Sequence, residues 1–194
     1  MTGGDTRPRL VVVRHGETEW SRDGRHTGRT DLPLLPSGEE LARRLARPLA
    51  AKTFVQVLTS PRLRARRTAE LAGFGDRAVV DGDLVEWDYG DDEGRTAGEI
   101  GEDRPGWEPW RDGYHRGEPL ASVAERARRV IDRALAVDGD TLAFAHGHLL
   151  RILATQWMGL DAATAKFYAL DPATISVLAW HRDSQVLQTW NAPT

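Results

Sequence analysis

Three short apolar segments, each followed by a polar motif, constrain the fold of this chain more than any other feature. They occupy residues 10–13, 54–58 and 141–145. The first runs into Arg14-His15-Gly16, the second leads to Ser60-Pro61-Arg62, and the third ends at His146-Gly147-His148. Short apolar runs of this kind are typical of strands that are buried in a parallel sheet.

Helical patterns alternate with these strands. The predicted helices span residues 37–51, 62–72 and 122–137, with a fourth that runs from the third polar motif through residue 157. Capping-box patterns at residues 37–40 and 122–125 predict two of the helix starts. A short strand is predicted near 78–80 and two more near 175–181 and 185–190, whereas 82–119 is predicted to be mostly irregular. The alternation indicates an α/β domain with a mainly parallel sheet, and 194 residues suit one domain better than two.

The polar motifs lie where such a fold places its reactive crevice. In parallel sheets this crevice lies beyond the carboxyl ends of the strands. We therefore expect the three motifs to converge on one site.

The composition excludes several classes of function. The chain contains no cysteine, which rules out disulfides, cysteine metal sites and thiol catalysis and is compatible with a cytoplasmic protein. Its net charge of -3 argues against general nucleic-acid binding. No apolar run is long enough to span a bilayer, and the polar N-terminus lacks the features of a signal peptide. We expect a cytoplasmic protein with no membrane or nucleic-acid partner; an oligomer is possible.

The residue types at the strand ends suggest that imidazole handles phosphate. A histidine in the position of His15 is, taken alone, more often structural, but a buried Arg14 beside it requires an anion. Gly16 lets a ligand approach the backbone closely, and His146 supplies a second imidazole. A neutral His15 could attack phosphorus to give a phosphohistidine that water then hydrolyses.

The leaving oxygen needs a proton donor, and Glu86 is the candidate. It lies in a dense acidic stretch that includes Asp83, Asp88, Asp91 and Asp92. Neighbouring negative charges and burial both favour a protonated carboxyl. Activity is therefore expected to peak on the acid side of neutrality.

Four motifs, in order and at suitable spacing, resemble those of the histidine phosphatase superfamily, the phosphoglycerate-mutase-like proteins. They are Arg14-His15-Gly16-Glu17-Thr18-Glu19-Trp20, the arginine motif at 60–68, the acidic segment at 84–90 and Ala145-His146-Gly147-His148. A loop at 27–34 also resembles the substrate loop of that family. The resemblance covers nearly the whole chain. It implies a three-layer α/β/α sandwich that forms a single catalytic domain over residues 1–194, with no metal and no cofactor.

The resemblance also implies the roles of individual residues. The catalytic set is Arg14, His15, Arg64, Glu86 and His146, and the residues expected to bind substrate are Ser21, Thr27, Gly28, Tyr89, His148 and Arg151. Ser21 and His148 replace an asparagine that is frequent in the family or in its mutases, respectively. Arg151 has two open interpretations: it reaches a second phosphate of a bisphosphate, or it forms a structural ion pair. Trp107 and Trp110 could form a lid, whereas His26 and His115 are interpreted as exposed loop residues.

Within the family the chain looks closest to the sedoheptulose-1,7-bisphosphatase-like sugar phosphatases and to a group of bacterial acid phosphatases. Phosphatase activity on a sugar phosphate or bisphosphate is the predicted function. A phosphoglycerate mutase is the first alternative, disfavoured because residues 110–113 retain only one arginine. A silent binding module and a metallohydrolase are the others; retention of the five core residues and the lack of a metal-ligand motif disfavour them.

Overall fold

A computed structural model describes residues 7–194. Six strands form one sheet in the order β3-β2-β4-β1-β5-β6. The strands are β1 (Leu10–Arg14), β2 (Gln56–Thr59), β3 (Val79–Val80), β4 (Thr141–Ala145), β5 (Ile175–His181) and β6 (Ser184–Ala192). The pairs among β1 to β4 are parallel, and β5 and β6 join the β1 edge in antiparallel orientation. The predicted, mainly parallel sheet is confirmed.

The register of the central strands brings the polar motifs together. Arg14 of β1 lies opposite Ala145 of β4, and Thr59 of β2 lies opposite Phe144. The next residues along these three strands therefore leave the sheet side by side at one edge. That edge carries the site.

Helices cover both faces of the sheet. They are α1 (Glu19–Arg22), α2 (Pro36–Arg44), α3 (Ala46–Ala50), α4 (Leu63–Leu71), α5 (Ala97–Asp103), α6 (Pro109–Asp112), α7 (Leu120–Leu135) and α8 (Gly147–Trp157). Side chains alternate along β1, so that Leu10 and Val12 enter the core under α7 and α8, whereas Val11 and Val13 enter the core under α2 and α3. This arrangement is the three-layer α/β/α sandwich that the resemblance implies.

Both predicted capping boxes are wrong. Helix α2 begins at Pro36 with no side-chain cap, and Ser37 instead donates a hydrogen bond to the carboxylate of Glu17. Helix α7 begins at Leu120, directly after Pro119. A proline at or before the first turn fixes φ and has no N–H to satisfy, which moves each start upstream of the serine.

The region predicted to be mostly irregular, residues 82–119, contains two helices. Helix α5 starts with a capping box between Thr96 and Glu99, and α6 starts with Pro109 in its first turn. Within residues 7–194, no helix is long and apolar enough to cross a bilayer.

Candidate active site

A cleft of about 230 Å³ opens at the carboxyl edge of the sheet. Arg14 and His15 come from the end of β1, Glu86 from the loop after β3, and Gly147 and His148 from the first turn of α8. The remaining lining residues are Ser21, Gly24, Arg25, His26, Thr27, Tyr89, Ala97, Arg151 and Leu170.

His15 is buried and held in one tautomer. Its Nδ1 lies 2.7 Å from the carbonyl oxygen of Gly16. Because a carbonyl only accepts, Nδ1 carries the proton and Nε2 keeps its lone pair. Burial, and then the charges of Arg64 and Arg14, lower the pKa of His15 well below its ordinary value. The ring is therefore neutral at physiological pH, and its Nε2 is free to act as a nucleophile.

His146 and Arg64 are fully buried and do not line the cleft. The ring of His146 lies 5.2 Å, centroid to centroid, from that of His15. Arg64 Nε donates to His146 Nδ1 at 3.2 Å, so His146 carries its proton on Nε2, which donates to Ser60 Oγ at 2.8 Å. Burial, with the charge of Arg64 next, holds the pKa of His146 well below the usual range.

Arg64 also fixes the loop that follows α1. Its Nη2 group donates to the carbonyl oxygens of Thr27 and Gly28 at 2.8 and 3.2 Å, and Nη1 donates to that of Thr30 at 2.9 Å. One guanidinium group thus connects His146 to the wall of the cleft.

The buried and half-buried guanidinium groups that lack a carboxylate partner lie at or next to this site. Among the described arginines, four are buried or half-buried and make no ion pair with a carboxylate: Arg14, Arg62, Arg64 and Arg151. Arg14 and Arg151 line the cleft, and Arg14 donates to the carbonyl oxygen of Leu170 while its Nε has no partner. Burial lowers the pKa of both cleft arginines. Desolvated cations of this kind are stabilised by a bound anion.

The environment of Glu86 differs from the one expected. Its carboxylate accepts three backbone N–H groups: those of Trp87 and Leu149 at Oε1, at 2.9 and 2.8 Å, and that of His148 at Oε2, at 3.0 Å. The two donors from the first turn of α8 add the positive end of the helix dipole. These contacts stabilise a carboxylate.

The acidic residues near Glu86 were expected to favour its protonated form, and most of them lie against arginine instead. Those residues are neutralised in pairs with arginine: Asp83 with Arg129 and Arg133, Asp88 with Arg29, Asp91 with Arg116, and Asp92 with Arg104. Oε2 of Glu86 accepts only one hydrogen bond from the described residues, and Glu86 lines the cleft.

Most of the residues predicted to bind substrate lie at the cleft. Ser21, Thr27, Tyr89, His148 and Arg151 line it. Gly28 does not: it is buried behind the wall, where its N–H donates to the carboxylate of Glu93 at 2.9 Å.

Comparison with known proteins agrees with this geometry. The profile of the histidine phosphatase superfamily (branch 1) matches residues 10–193. The sedoheptulose 1,7-bisphosphatase of Saccharomyces cerevisiae is 41% identical over 186 residues, which cover 79% of this chain and 68% of the yeast protein. An acid phosphatase of Mycobacterium tuberculosis is 40% identical over 174 residues, covering 87% of this chain and 85% of that protein. The solved structure of an open reading frame from M. tuberculosis superposes with a TM-score of 0.91 at 36% identity, covering 96% and 98% of the two chains.

The chain belongs to the histidine phosphatase superfamily. It is a phosphatase, an enzyme of the phosphoric monoester hydrolase class.

In this histidine phosphatase, Tyr89 and His148 form a hydrogen-bonded pair. Tyr89 Oη lies 2.7 Å from His148 Nδ1. Burial raises the pKa of Tyr89 well above its ordinary value and lowers that of His148 well below its own, so both side chains are neutral. The pair presents a neutral polar surface at the cleft beside the charged Arg14.

Arg151 makes no structural ion pair within the described chain. Its Nε donates to the carbonyl oxygen of Ala165 at 3.0 Å, and its guanidinium group stacks 4.7 Å from the ring centroid of Trp110. The ion-pair interpretation is therefore wrong for residues 7–194, and the Nη groups are available at the cleft.

The sequence interpretation of His26 as an exposed residue is also wrong. His26 is half-buried, lines the cleft and packs edge-on against Tyr89 and Tyr114 at centroid distances of 4.8 and 5.1 Å. The available signal was its position directly before Thr27, the first residue of the segment that resembles the substrate loop. His115 is exposed, as expected.

The two predicted lid tryptophans pack beside the cleft and are absent from its lining. Trp110 is buried against Trp87 at 5.6 Å, and Trp107 is half-buried against Tyr114 at 5.5 Å. They pack behind rings that are at or near the cleft: Trp107 behind His26 and Tyr114, and Trp110 behind His148.

Proposed function

We propose that this histidine phosphatase hydrolyses a small sugar phosphate through a phosphohistidine at Nε2 of His15. The observation that carries the proposal is the tautomer of His15, because the bond from Nδ1 to Gly16 leaves Nε2 unprotonated at the base of the cleft. Burial and the nearby arginines keep the pKa of this imidazole low, so the nucleophile needs no separate base.

In the first step, Nε2 of His15 forms a bond to phosphorus as the bond from phosphorus to the ester oxygen breaks. The proton on Oε2 of Glu86 moves to the departing oxygen, which leaves as an alcohol. Glu86 is then a carboxylate, the form that its three backbone N–H contacts stabilise.

In the second step, Glu86 takes a proton from water while the water oxygen bonds to phosphorus and the phosphorus–nitrogen bond breaks. Inorganic phosphate leaves, His15 is again neutral, and Glu86 again holds its proton. The two steps balance without an external acid, base or cofactor.

The nonbridging phosphate oxygens require positive charge. Arg14 supplies it from the cleft wall, and Arg64 supplies it from behind, since neither has a carboxylate partner. His146, held between Arg64 and Ser60, acts as a positioning residue for His15. The resemblance implied a catalytic role for His146 in the phosphate pocket itself, and we propose a positioning role for it instead.

We assign Arg151 to a second anionic group of the substrate. It lines the same cleft as His15, is half-buried and has no carboxylate partner among the described residues. The name of the yeast relative, a sedoheptulose 1,7-bisphosphatase, agrees with a bisphosphate. The name of the mycobacterial relative, an acid phosphatase, agrees with hydrolysis of simpler monoesters.

The mutase alternative receives no support from the cleft. The single arginine retained at 110–113, Arg111, is exposed, pairs with Asp112 at 2.7 Å and is absent from the cleft lining. A silent binding module has no use for a neutral His15 and a glutamate in the lining of the same cleft.

The experiment that tests the function is release of phosphate from a panel of sugar mono- and bisphosphates, 3-phosphoglycerate and p-nitrophenyl phosphate, with a chelator present. We expect turnover of at least one sugar phosphate that disappears in His15→Ala, while the exposed-residue variant His181→Ala retains it. Transfer of phosphate within phosphoglycerate without net release would favour a mutase. Absence of both reactions would favour the silent module.

A further inference from the structure

His26 and Arg25 are polar residues of the cleft that neither the sequence analysis nor the proposed chemistry uses, and Arg25 is paired with Glu99. His26 is fixed at three points. Its backbone N–H donates to the carbonyl oxygen of Arg95 at 2.9 Å, its own carbonyl accepts from the N–H of Gly94 at 2.8 Å, and its ring Nδ1 lies 2.7 Å from the same oxygen of Arg95. The ring is therefore held rigidly at the wall.

The contact with Arg95 determines the hydrogen-bonding character of the free nitrogen. A carbonyl oxygen can only accept, so Nδ1 carries the proton and Nε2 is an acceptor. No donor of residues 7–194 lies within hydrogen-bonding distance of Nε2. Burial lowers the pKa of His26 from its ordinary value, which keeps the ring neutral at physiological pH.

The surroundings exclude large movements of this ring. Tyr89, Tyr114 and Trp107 meet it edge-on at 4.8, 5.1 and 6.4 Å, and His148 stacks on it at 5.9 Å with an interplanar angle of 28°. Aromatic contacts at these distances favour one orientation. A rigid acceptor at a cleft wall selects for a donor on the ligand and against an anionic group, since a lone pair repels a carboxylate or phosphate oxygen.

We propose that His26 determines substrate specificity by accepting a hydrogen bond at Nε2 from a hydroxyl of the group esterified to phosphate. The inference rests on the proposed function and deepens it: the preferred substrate is an ester of a polyol or sugar, with a hydroxyl at the His26 wall. An ester that carries no hydroxyl leaves the acceptor unpaired, and a bound ligand then excludes the water that would satisfy it. Sites that hydrogen-bond a substrate hydroxyl discriminate strongly on this basis.

The test uses three variants and two substrates. His26→Phe keeps an aromatic ring and removes the acceptor, while the Arg95 carbonyl still accepts the backbone N–H of residue 26. His26→Gln loses the ring but retains a side-chain carbonyl oxygen that can reach the position of Nε2. His115→Phe is the matched control, since His115 is exposed and outside the cleft. The readout is the ratio of kcat/KM for the best sugar phosphate of the panel to kcat/KM for p-nitrophenyl phosphate, which has no hydroxyl.

We expect this ratio to fall by about tenfold or more in His26→Phe, in line with the loss of one buried hydrogen bond. It should be partly restored in His26→Gln and unchanged in His115→Phe. A purely structural role predicts the opposite order, because phenylalanine preserves the aromatic packing better than glutamine. Equal losses on both substrates, or no loss on either, would overturn the inference.

The same measurements distinguish failure of the His26 inference from failure of the proposed function. If the wild-type enzyme hydrolyses neither substrate, the proposed function fails. If it hydrolyses only p-nitrophenyl phosphate, phosphatase chemistry stands but the specificity inference is contradicted. If it hydrolyses both and the ratio in His26→Phe does not change, only the inference fails.

Discussion

His15 is kept neutral by two effects that act in the same direction. Burial removes the hydration that would stabilise an imidazolium, and Arg64 and Arg14 repel a positive ring. Both lower its pKa, so acidification to mildly acid pH does not protonate the nucleophile.

We therefore expect kcat/KM not to fall as the pH is lowered from about 8 to 6. An acid optimum stays a prediction, and the low pKa of His15 is compatible with it because the nucleophile remains neutral in mild acid. A pH–rate profile with p-nitrophenyl phosphate measures this. A loss of activity on the acid limb with an apparent pKa near that of free histidine, roughly 6.5, would contradict the account.

Replacing Glu86 by glutamine tests its role as proton donor. Glu86→Gln should lower kcat for a sugar phosphate by about 10²–10⁴, the range of general acid–base catalysis. The effect on p-nitrophenyl phosphate should be smaller, because p-nitrophenolate leaves without a proton. Steady-state rates on both substrates measure the difference, and Glu102→Gln, at an exposed position of α5, is the control.

Equal losses of Glu86→Gln on both substrates would assign Glu86 to a structural role. The variant also places an amide N–H₂ where Oε1 or Oε2 accepts backbone N–H groups. A stability loss of about 1–3 kcal/mol is therefore expected, and rates should be compared at a temperature at which the variant is folded.

At the residue scale, the sequence predicted that the residues at the strand ends would meet. It did not predict the contacts that segments distant in the chain make with the site. The convergence of Arg14, His15 and His146 follows from the rule that parallel strands share a carboxyl edge. The surroundings of Glu86 do not, because two of the three amides that bind it belong to α8, some sixty residues further along the chain. The same is true of His26, whose place at the cleft depends on a backbone pairing with Arg95.

At the scale of elements, the loop of residues 27–30 is hydrogen-bonded to Arg64 on one side and to Glu93 on the other. Its carbonyl groups accept from Arg64, and its N–H groups at Gly28 and Thr30 donate to Glu93. A Cβ atom at Gly28 would lie 2.7 Å from the carbonyl oxygen of Trp87. The contact is with backbone, so the loop itself must move.

Gly28→Ala should therefore reduce both stability, by about 1–3 kcal/mol, and activity, since Arg64 loses its carbonyl acceptors. Gly101→Ala is the matched control: Gly101 lies within α5, nothing lies within 4 Å of its added Cβ, and alanine there should stabilise by about 0.5–1 kcal/mol. Denaturant unfolding and kcat on p-nitrophenyl phosphate measure the two effects. A Gly28→Ala variant with unchanged kcat would show that the contacts of this loop with Arg64 do not contribute to activity.

Helix starts show why element boundaries were harder to predict than elements. The sequence favoured serine caps at residues 37 and 122, but prolines at 36 and 119 precede them and set the starts. The capping boxes that do form, at Thr18 with Ser21 and at Thr96 with Glu99, start short helices whose apolar pattern is too brief to recognise. The strands of the central sheet, by contrast, carried clear apolar runs and were predicted within two residues.

At the scale of the whole molecule, the histidines buried at the site reduce the stability of the fold at low pH. His15, His146 and His148 all have pKa values well below the ordinary value of histidine, with burial as the first cause. Below about pH 6.5 the unfolded chain binds protons at these positions and the folded chain does not. Stability therefore falls as the pH drops through this range and is unaffected by these groups above it.

Each such histidine lowers the free energy of unfolding by at most about 1.4 kcal/mol per pH unit, so three give a slope of up to about 4 kcal/mol per unit between pH 6.5 and 5. Urea unfolding at a series of pH values measures it. His148→Asn should reduce the slope of unfolding free energy against pH by the contribution of one histidine, at most about 1.4 kcal/mol per pH unit. A free energy of unfolding that is constant from pH 7 to 5 would show that the histidines are not buried as neutral groups.

The central claim is that phosphate passes through a covalent bond to His15, and trapping that bond tests it most directly. Wild-type enzyme and His15→Ala are mixed with a ³²P-labelled substrate and quenched in alkali, in which phosphohistidine survives, and the labelled peptide is identified by mass spectrometry. The account predicts alkali-stable label on His15 of the wild-type chain and none on the variant, which should be folded and inactive. Label on a different residue, or steady turnover by His15→Ala, would contradict it.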